Sequence, residues 1–162
     1  TGFQWMATGT FNMIEGRGGQ TLSDKWADGG TKTFLGIHSH GFPNLYIMTG
    51  PQGGGGSFNF TDAIDSHSDY VVWLLETMRE AGHRVVDVER QPEEDYAEHC
   101  RKADLATAPL RDCLSYYNGH GDAEPGSLAY YGGGRWHKWR LSAQETLDPY
   151  RFGSARSTAA PG

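Results

Sequence analysis

Cysteine and long apolar runs are scarce in this chain, and each absence excludes a class of protein. Only Cys100 and Cys113 occur among the 162 residues, without a C-x-x-C pair or metal-ligand spacing around them. We expect two buried free thiols in a reducing compartment, although a single disulfide stays open as an alternative. No apolar run approaches the roughly 20 residues of a membrane span, and no signal peptide opens the chain. The sequence therefore predicts a cytoplasmic protein without a membrane span.

Basic residues are also few, with 14 Lys and Arg against 20 Asp and Glu. Proteins that bind nucleic acid need clustered cations to contact phosphates. The formal net charge of −6 therefore argues against a nucleic-acid partner. The local exception, RWHKWR at residues 135–140, is interpreted as a solvated helix face rather than a phosphate contact.

Recognisable catalytic motifs are missing as well. The sequence holds no G-x-S-x-G elbow, P-loop or H-E-x-x-H motif. His38 and His40 form an H-x-H pair, but no third ligand follows at a recognisable spacing, so we predict no metal site. His67 lies on the apolar face of a predicted helix, which favours a hydrogen-bonded core histidine over a catalytic one. Glu93 lies in the first turn of another predicted helix, where it complements the helix dipole. We therefore predict no catalytic residue in this chain.

Glycine and aromatic residues are abundant instead. The chain has 23 Gly, together with five Trp, eight Tyr and seven Phe, whereas its hydrophobic content is only 37%. The length suits one domain with a core of its own. This mixture predicts one loop-rich globular unit built around aromatic packing rather than a helical bundle.

The most informative local pattern covers residues 41–81, which predict a buried strand at residues 45–48, a glycine-rich loop and a long helix. Four consecutive glycines, residues 53–56, remove every Cβ from the loop, so a ligand can approach the backbone closely. The helix N-terminus adds unpaired N–H groups and a positive dipole end, which suit an anionic or electron-rich ligand. A cofactor site and a flexible surface loop both remain open interpretations of this junction.

Residues 60–81 carry the clearest helical pattern. Asn59 is predicted to cap the first turn, together with Asp62, and Gly82 is predicted to end the helix. The three- and four-residue spacing predicts one apolar stripe, formed by Phe60, Ile64, His67, Val71, Leu74, Leu75 and Met78. Further strands are predicted at residues 10–15, 33–37, 84–88 and 128–131. Further helices are predicted at residues 22–26, 92–106 and 136–146.

Seven segments in order along the chain resemble the C-terminal part of the type I Baeyer-Villiger monooxygenases: TGF, EGRGG, DKWADGG, TKTFLG, GFPNLYIMTGP, SYYNGHG and YYGGG. The resemblance extends over residues 1–152, and residues 153–162 are predicted to form a disordered tail. It implies an α/β fold, the C-terminal portion of a Rossmann-like FAD-binding domain. It also implies FAD and NADPH as cofactors, and insertion of one oxygen atom from O2 beside a ketone carbonyl to give an ester or lactone.

The resemblance implies that the flavin lies at the junction described above. Gly50, Pro51 and Gln52 are expected to reach the flavin edge. Asn59 and Phe60 would place backbone N–H groups near the pyrimidine carbonyl, where reduced flavin carries negative charge that a helix N-terminus stabilises.

Further roles follow from the same resemblance. Thr1 and Gly2 match the end of an A-T-G-F motif, through which the chain returns from the NADP domain to the FAD domain. Tyr116 lies in a segment, residues 115–126, that resembles the family's mobile loop over nicotinamide and substrate. Many members have Trp at this position; Tyr116 replaces the indole here and can stack or donate a hydrogen bond instead. The segment that matches the substrate-pocket loop contains Gly55, Gly56, Ser57 and Phe58.

The family's remaining machinery lies upstream of such a segment and is absent from these 162 residues. The missing parts are both dinucleotide-binding glycine motifs, the F-x-G-x-x-x-H-x-x-x-W signature and the catalytic arginine. We therefore expect the N-terminal part of the same enzyme as the partner of this chain, and no NADPH or ketone oxidation by the chain alone.

Two other interpretations stay open. One is a fragment of an N- or S-oxygenating flavin monooxygenase, which only the missing upstream signature would separate from the first. The other is an independent module that stacks glycans or other planar ligands on its aromatic loops, with Tyr116, Tyr117, Tyr130, Tyr131 and Trp136 as the candidate rings.

Overall fold

The computed structural model describes residues 10–27, 30–53, 59–107 and 134–154. These residues form a mixed α/β structure, as the sequence predicts. Two short 3-10 segments, Thr10–Met13 and Arg17–Gly19, precede the first helix. The regular elements that follow are α1 (Leu22–Ala27), α2 (Phe60–Glu80), β1 (Val85–Val88), α3 (Arg90–Thr107), α4 (Gly134–Thr146) and β2 (Tyr150–Gly153).

The long helix α2 is confirmed together with both of its ends. The Asn59 side chain accepts a hydrogen bond from the Thr61 backbone N–H, which satisfies one of the unpaired donors of the first turn. At the other end, Gly82 adopts a left-handed φ of 74°, a conformation that glycine adopts without steric cost.

The predicted apolar stripe of α2 is wrong at two positions. Phe60 is 58% exposed and Leu75 is 46% exposed. The buried face is rotated relative to the prediction because Ala63 and Tyr70, which the prediction omitted, face the core. This face consists of Ala63, His67, Tyr70, Leu74 and Met78.

The core is built largely from aromatic side chains, which confirms the predicted aromatic packing. Phe34 lies at its centre, with edge-on ring contacts to Tyr96, Trp139 and Tyr150 at centroid distances of 5.8, 6.3 and 6.0 Å. Such edge-to-face pairs add stabilisation beyond the buried area. The ring contacts join the 33–37 segment to α3, α4 and β2.

A single pair of antiparallel strands forms the sheet in the described part of the chain. The strand predicted at residues 84–88 is confirmed as β1, and its register pairs Val85 with Gly153 and Val88 with Tyr150. The partner strand β2 was not predicted, and it reaches the first residue of the proposed tail. Residues 155–162 and the strand predicted at 128–131 lie outside the described residues.

Three other predicted strands are wrong. Residues 10–13 form a 3-10 segment instead. The second wrong strand was predicted at residues 33–37. There, Leu35 and Gly36 adopt left-handed φ values of 59° and 70°, which reverse the chain into a tight turn. The third, residues 45–48, belongs to no strand, and the Ile47 amide bonds the Ile37 carbonyl at 2.8 Å. A strand needs a neighbouring ladder, and none flanks these segments within the described ranges.

The three remaining helices are confirmed as α1, α3 and α4. Helix α3 begins at Arg90, so Pro92 lies in its first turn, where a missing N–H costs nothing. Among the residues that the structure describes, no helix has the length and apolar character needed to cross a bilayer.

Candidate functional site

The residues predicted to reach the flavin edge lie in a tight turn at residues 49–53, here named the 49–53 turn. Two of its non-glycine residues, Thr49 and Gln52, adopt left-handed φ values of 50° and 66°. Such conformations cost on the order of 1–3 kcal/mol each and persist only where surrounding contacts hold them. The Gly53 amide closes the turn on the Gly50 carbonyl at 2.9 Å.

Gln52 is turned toward the protein interior and is only 2% exposed. Its Oε1 accepts hydrogen bonds from the backbone N–H and the hydroxyl of Thr33, both at 2.9 Å. Its Nε2 donates to the Thr31 carbonyl at 3.2 Å. Because these bonds engage the buried side chain, the Gln52 amide group is not available to a cofactor.

Glycines let the 49–53 turn pack closely against its neighbours. A Cβ on Gly36 would lie 2.1 Å from Gly53 Cα, and a Cβ on Gly53 would lie 2.8 Å from the Cε1 atom of His67. Both distances are shorter than real Cβ contacts. Gly53, the first glycine of the predicted ligand loop, is therefore required for packing, whereas residues 54–56 lie outside the described ranges.

His67 of α2 lies directly behind the turn and is fully buried. Its Nδ1 accepts a hydrogen bond from the Thr49 backbone N–H at 3.1 Å. Its ring stacks on Trp136 of α4, with centroids 5.0 Å apart and planes 21° apart. Burial lowers the pKa of His67 to about 4, so the imidazole is neutral at pH 7 and can accept this bond. The prediction of a hydrogen-bonded core histidine is confirmed.

Helices α3 and α4 complete the support of the turn. The Tyr96 hydroxyl donates to the Gln52 carbonyl at 2.9 Å. The Trp136 indole N–H donates to the Leu35 carbonyl at 3.0 Å, next to Gly36, on which the turn packs. Three helices that are far apart in sequence thus each contribute one side chain around the 49–53 turn. No local sequence pattern marks Tyr96 or Trp136, so neither residue was predicted to support this turn.

The N-terminus of α2 exposes both of its predicted flavin contacts, Asn59 and Phe60. Asn59 already caps Thr61, so the N–H groups of Phe60 and Asp62 are the first-turn donors that can face a ligand. The remaining predicted site residues lie outside the described residues, namely Thr1, Gly2, Gly55, Gly56, Ser57, Phe58 and Tyr116.

A second polar cluster joins α1 to α3. The Lys25 ammonium lies 2.7 and 2.8 Å from the two carboxylate oxygens of Glu93, and it also donates to Ser39 Oγ and the His40 carbonyl. Glu93 is therefore the buried partner of a lysine as well as a first-turn residue. Burial lowers the pKa of Lys25 from 10.5 despite the opposing effect of Glu93. The cluster borders a polar pocket of about 190 Å³.

His38 and His40 do not share a site. His38 is buried among the rings of Tyr46, Tyr70 and Tyr150, and burial lowers its pKa to about 3. The His40 ring donates through Nδ1 to the Val88 carbonyl at 2.7 Å. The described residues contain no group of three or more His, Cys, Asp or Glu side chains arranged to hold a metal ion.

The two buried histidines predict loss of stability in acid. Their pKa values of about 4 for His67 and about 3 for His38 lie below the unfolded value near 6.5. The unfolded chain therefore binds more protons below pH 6.5, and stability that is complete above this pH falls as the pH decreases. We expect a loss on the order of 2 kcal/mol per histidine between pH 6.5 and 5. Urea unfolding at both pH values measures it, and equal stability at the two would contradict the assignment.

Comparison of the fold with solved structures identifies the class of protein. The chain superposes on an oxidised steroid monooxygenase bound to NADP with a TM-score of 0.73 and 25% identity, over 86% of this chain and 26% of that one. It also matches a cyclohexanone monooxygenase from Rhodococcus sp. Phi1 bound to NADP+, with a TM-score of 0.76 and 22% identity, over 91% and 28% of the two chains. The chain thus shares its fold with part of these two monooxygenases.

Sequence comparison narrows the class. The chain is 32% identical over 160 residues to a Baeyer-Villiger monooxygenase of Streptomyces coelicolor, covering 91% of this chain and 26% of the relative. It is 35% identical over 129 residues to pentalenolactone D synthase of Streptomyces arenae, covering 75% and 21%. No protein-family profile matches. The resemblance is confirmed: this chain corresponds to part of a Baeyer-Villiger monooxygenase, and it spans about a quarter of the length of these relatives.

Proposed function

We propose that this chain is the C-terminal part of an FAD- and NADPH-dependent monooxygenase that converts a ketone and O2 into an ester or lactone. The observation that carries the proposal is the similarity to the Streptomyces coelicolor Baeyer-Villiger monooxygenase over 91% of the chain. We assign the 1–152 region to the C-terminal portion of a Rossmann-like FAD domain in a cytoplasmic enzyme.

The described residues suit a flavin through their backbone donors and their rigidity. The first turn of α2 offers the N–H groups of Phe60 and Asp62 at the positive end of a 21-residue helix. The backbone of Gly50 and Pro51 belongs to a turn whose conformation is held by buried contacts from three helices. Together these groups would bind the pyrimidine side and the edge of the ring system.

FAD, when bound, would supply the oxygen-transfer chemistry. The role of this chain is to orient the ring system and to shape the substrate site. We propose that Thr1 and Gly2 lie at the crossing from the NADP domain, and that Tyr116 covers the nicotinamide. The substrate would then be bordered by Gly55, Gly56, Ser57 and Phe58.

The proposal is tested on the longer polypeptide that carries this chain. The purified protein is incubated with NADPH, ¹⁸O₂ and a panel of cyclic and aromatic ketones, an amine and a sulfide, and products are identified by mass spectrometry. We expect yellow protein with bound FAD, and esters or lactones that contain one ¹⁸O atom. Oxygenation of the amine or sulfide alone would support the N- or S-oxygenating alternative. Glycan affinity without bound flavin would support the independent binding module.

A further inference from the structure

We propose that His67 is a positioning residue for the flavin, because its imidazole fixes the conformation of the 49–53 turn, which we assign to the flavin edge. The inference rests on the proposed function. The proposal gives His67 a role beyond packing in the core.

The bond between His67 and Thr49 acts at the most strained point of the turn. Thr49 is β-branched and has a φ of 50°, a conformation that such residues rarely adopt. Its backbone N–H donates to His67 Nδ1 at 3.1 Å. Since Gly50 follows directly, a change in the Thr49 backbone would move the residues that we assign to the flavin edge.

The imidazole is itself fixed on two sides. Trp136 stacks on one face of the ring at 5.0 Å. Gly53 lies so close to the Cε1 atom of His67 that a methyl group there would clash at 2.8 Å. The ring thus touches both ends of the 49–53 turn, at Thr49 by a hydrogen bond and at Gly53 by close packing. Side chains locked by packing are the usual means of holding a functional group in place.

A merely structural histidine and a positioning histidine predict different results. His38 provides the matched control, because it is also a buried, neutral imidazole but is surrounded by tyrosine rings and has no hydrogen bond to the turn among those that the structure shows. Replacing either histidine would lower stability. Only replacement of His67 would change the FAD affinity and the flavin spectrum.

The experiment compares the His67→Phe, His67→Gln and His38→Phe variants of the longer polypeptide, loaded with FAD. The dissociation constant for FAD, the visible absorption and circular dichroism of the flavin, and amide hydrogen exchange at Thr49 are measured. We expect His67→Phe to weaken FAD binding about tenfold, as loss of one buried hydrogen bond allows, to shift the flavin spectrum and to speed exchange at Thr49. His67→Gln retains an acceptor and should restore most of each property, and His38→Phe should leave all three unchanged.

A double variant separates the release of strain from general damage. Adding Thr49→Gly to His67→Phe removes the Cβ that makes the left-handed conformation costly. Partial recovery of FAD affinity is expected, and it also supports the proposal if His67→Phe alone does not fold. An unchanged flavin spectrum and FAD affinity in folded His67→Phe would overturn it. If the wild-type protein binds no FAD, the proposed function is overturned instead. Amide hydrogen exchange at Thr49 would then still measure whether His67 holds the turn.

Discussion

The 162-residue chain, purified and supplied with FAD, NADPH, O2 and a ketone, will oxidise NADPH no faster than a solution without protein. It contains neither glycine-rich dinucleotide motif, and the resemblance places the family's catalytic arginine upstream of it. The groups that we propose for the flavin, the first-turn N–H groups of α2 and the 49–53 turn, would position a cofactor but cannot transfer electrons. Positioning cannot accelerate a reaction whose reacting groups are elsewhere.

The measurement is NADPH absorbance at 340 nm together with product analysis, and the longer polypeptide serves as the active comparison. Restored turnover on mixing the chain with a separately expressed N-terminal part would agree with the proposal. Ester formation by the chain alone, with no second polypeptide in the preparation, would refute the assignment of the chemistry to residues outside it.

Replacing Lys25 with Met will lower the free energy of unfolding by about 3–5 kcal/mol, the usual cost of leaving one member of a buried ion pair without its partner. Glu93 is 2% exposed and, among the described residues, would keep hydrogen bonds only from Ser39 and the His40 amide. Burial already lowers the pKa of Lys25 more than Glu93 raises it.

Two controls make this prediction specific. The double variant Lys25→Met/Glu93→Leu should recover most of the lost stability, because it removes both buried charges. Arg151→Met breaks the ion pair with Glu89, in which Arg151 is 71% exposed, and should cost less than about 1 kcal/mol. Urea denaturation measures all three variants. Equal losses for Lys25→Met and Arg151→Met would show that burial of the first pair has no energetic consequence.

The helices of this chain were predictable because their signals are local. In α2, the Asn59 cap and the Gly82 stop lie beside the helix and both are confirmed. The apolar spacing correctly predicted the helix, although Phe60 and Leu75 of the predicted stripe are exposed. The predicted strands at residues 33–37 and 45–48 failed because a strand depends on a neighbour, which no short segment specifies. The rotation of the buried face of α2 has the same origin, since the elements that cover a helix lie elsewhere in the chain.

Some features of the candidate site were likewise predictable from the sequence, and others were not. The resemblance assigned the Gly50 to Gln52 segment and the start of α2 to the flavin, but it could not show that the Gln52 side chain is bonded to Thr33. His67 was recognisable as a core histidine from its helical position. Its hydrogen bond with Thr49 could not be recognised, because 18 residues separate the two in sequence.

The amino-acid sequence by itself determined the helices, the lack of dinucleotide motifs and the relationship to the Baeyer-Villiger monooxygenases, since each depends on which residues occur and at what spacing. Only the tertiary structure decided the shape of the 49–53 turn. Thr49 and Gln52 adopt left-handed conformations that are unfavourable in isolation. They are held by His67 and Tyr96, and Trp136 stacks on His67; the chain brings these three side chains together from three separate helices.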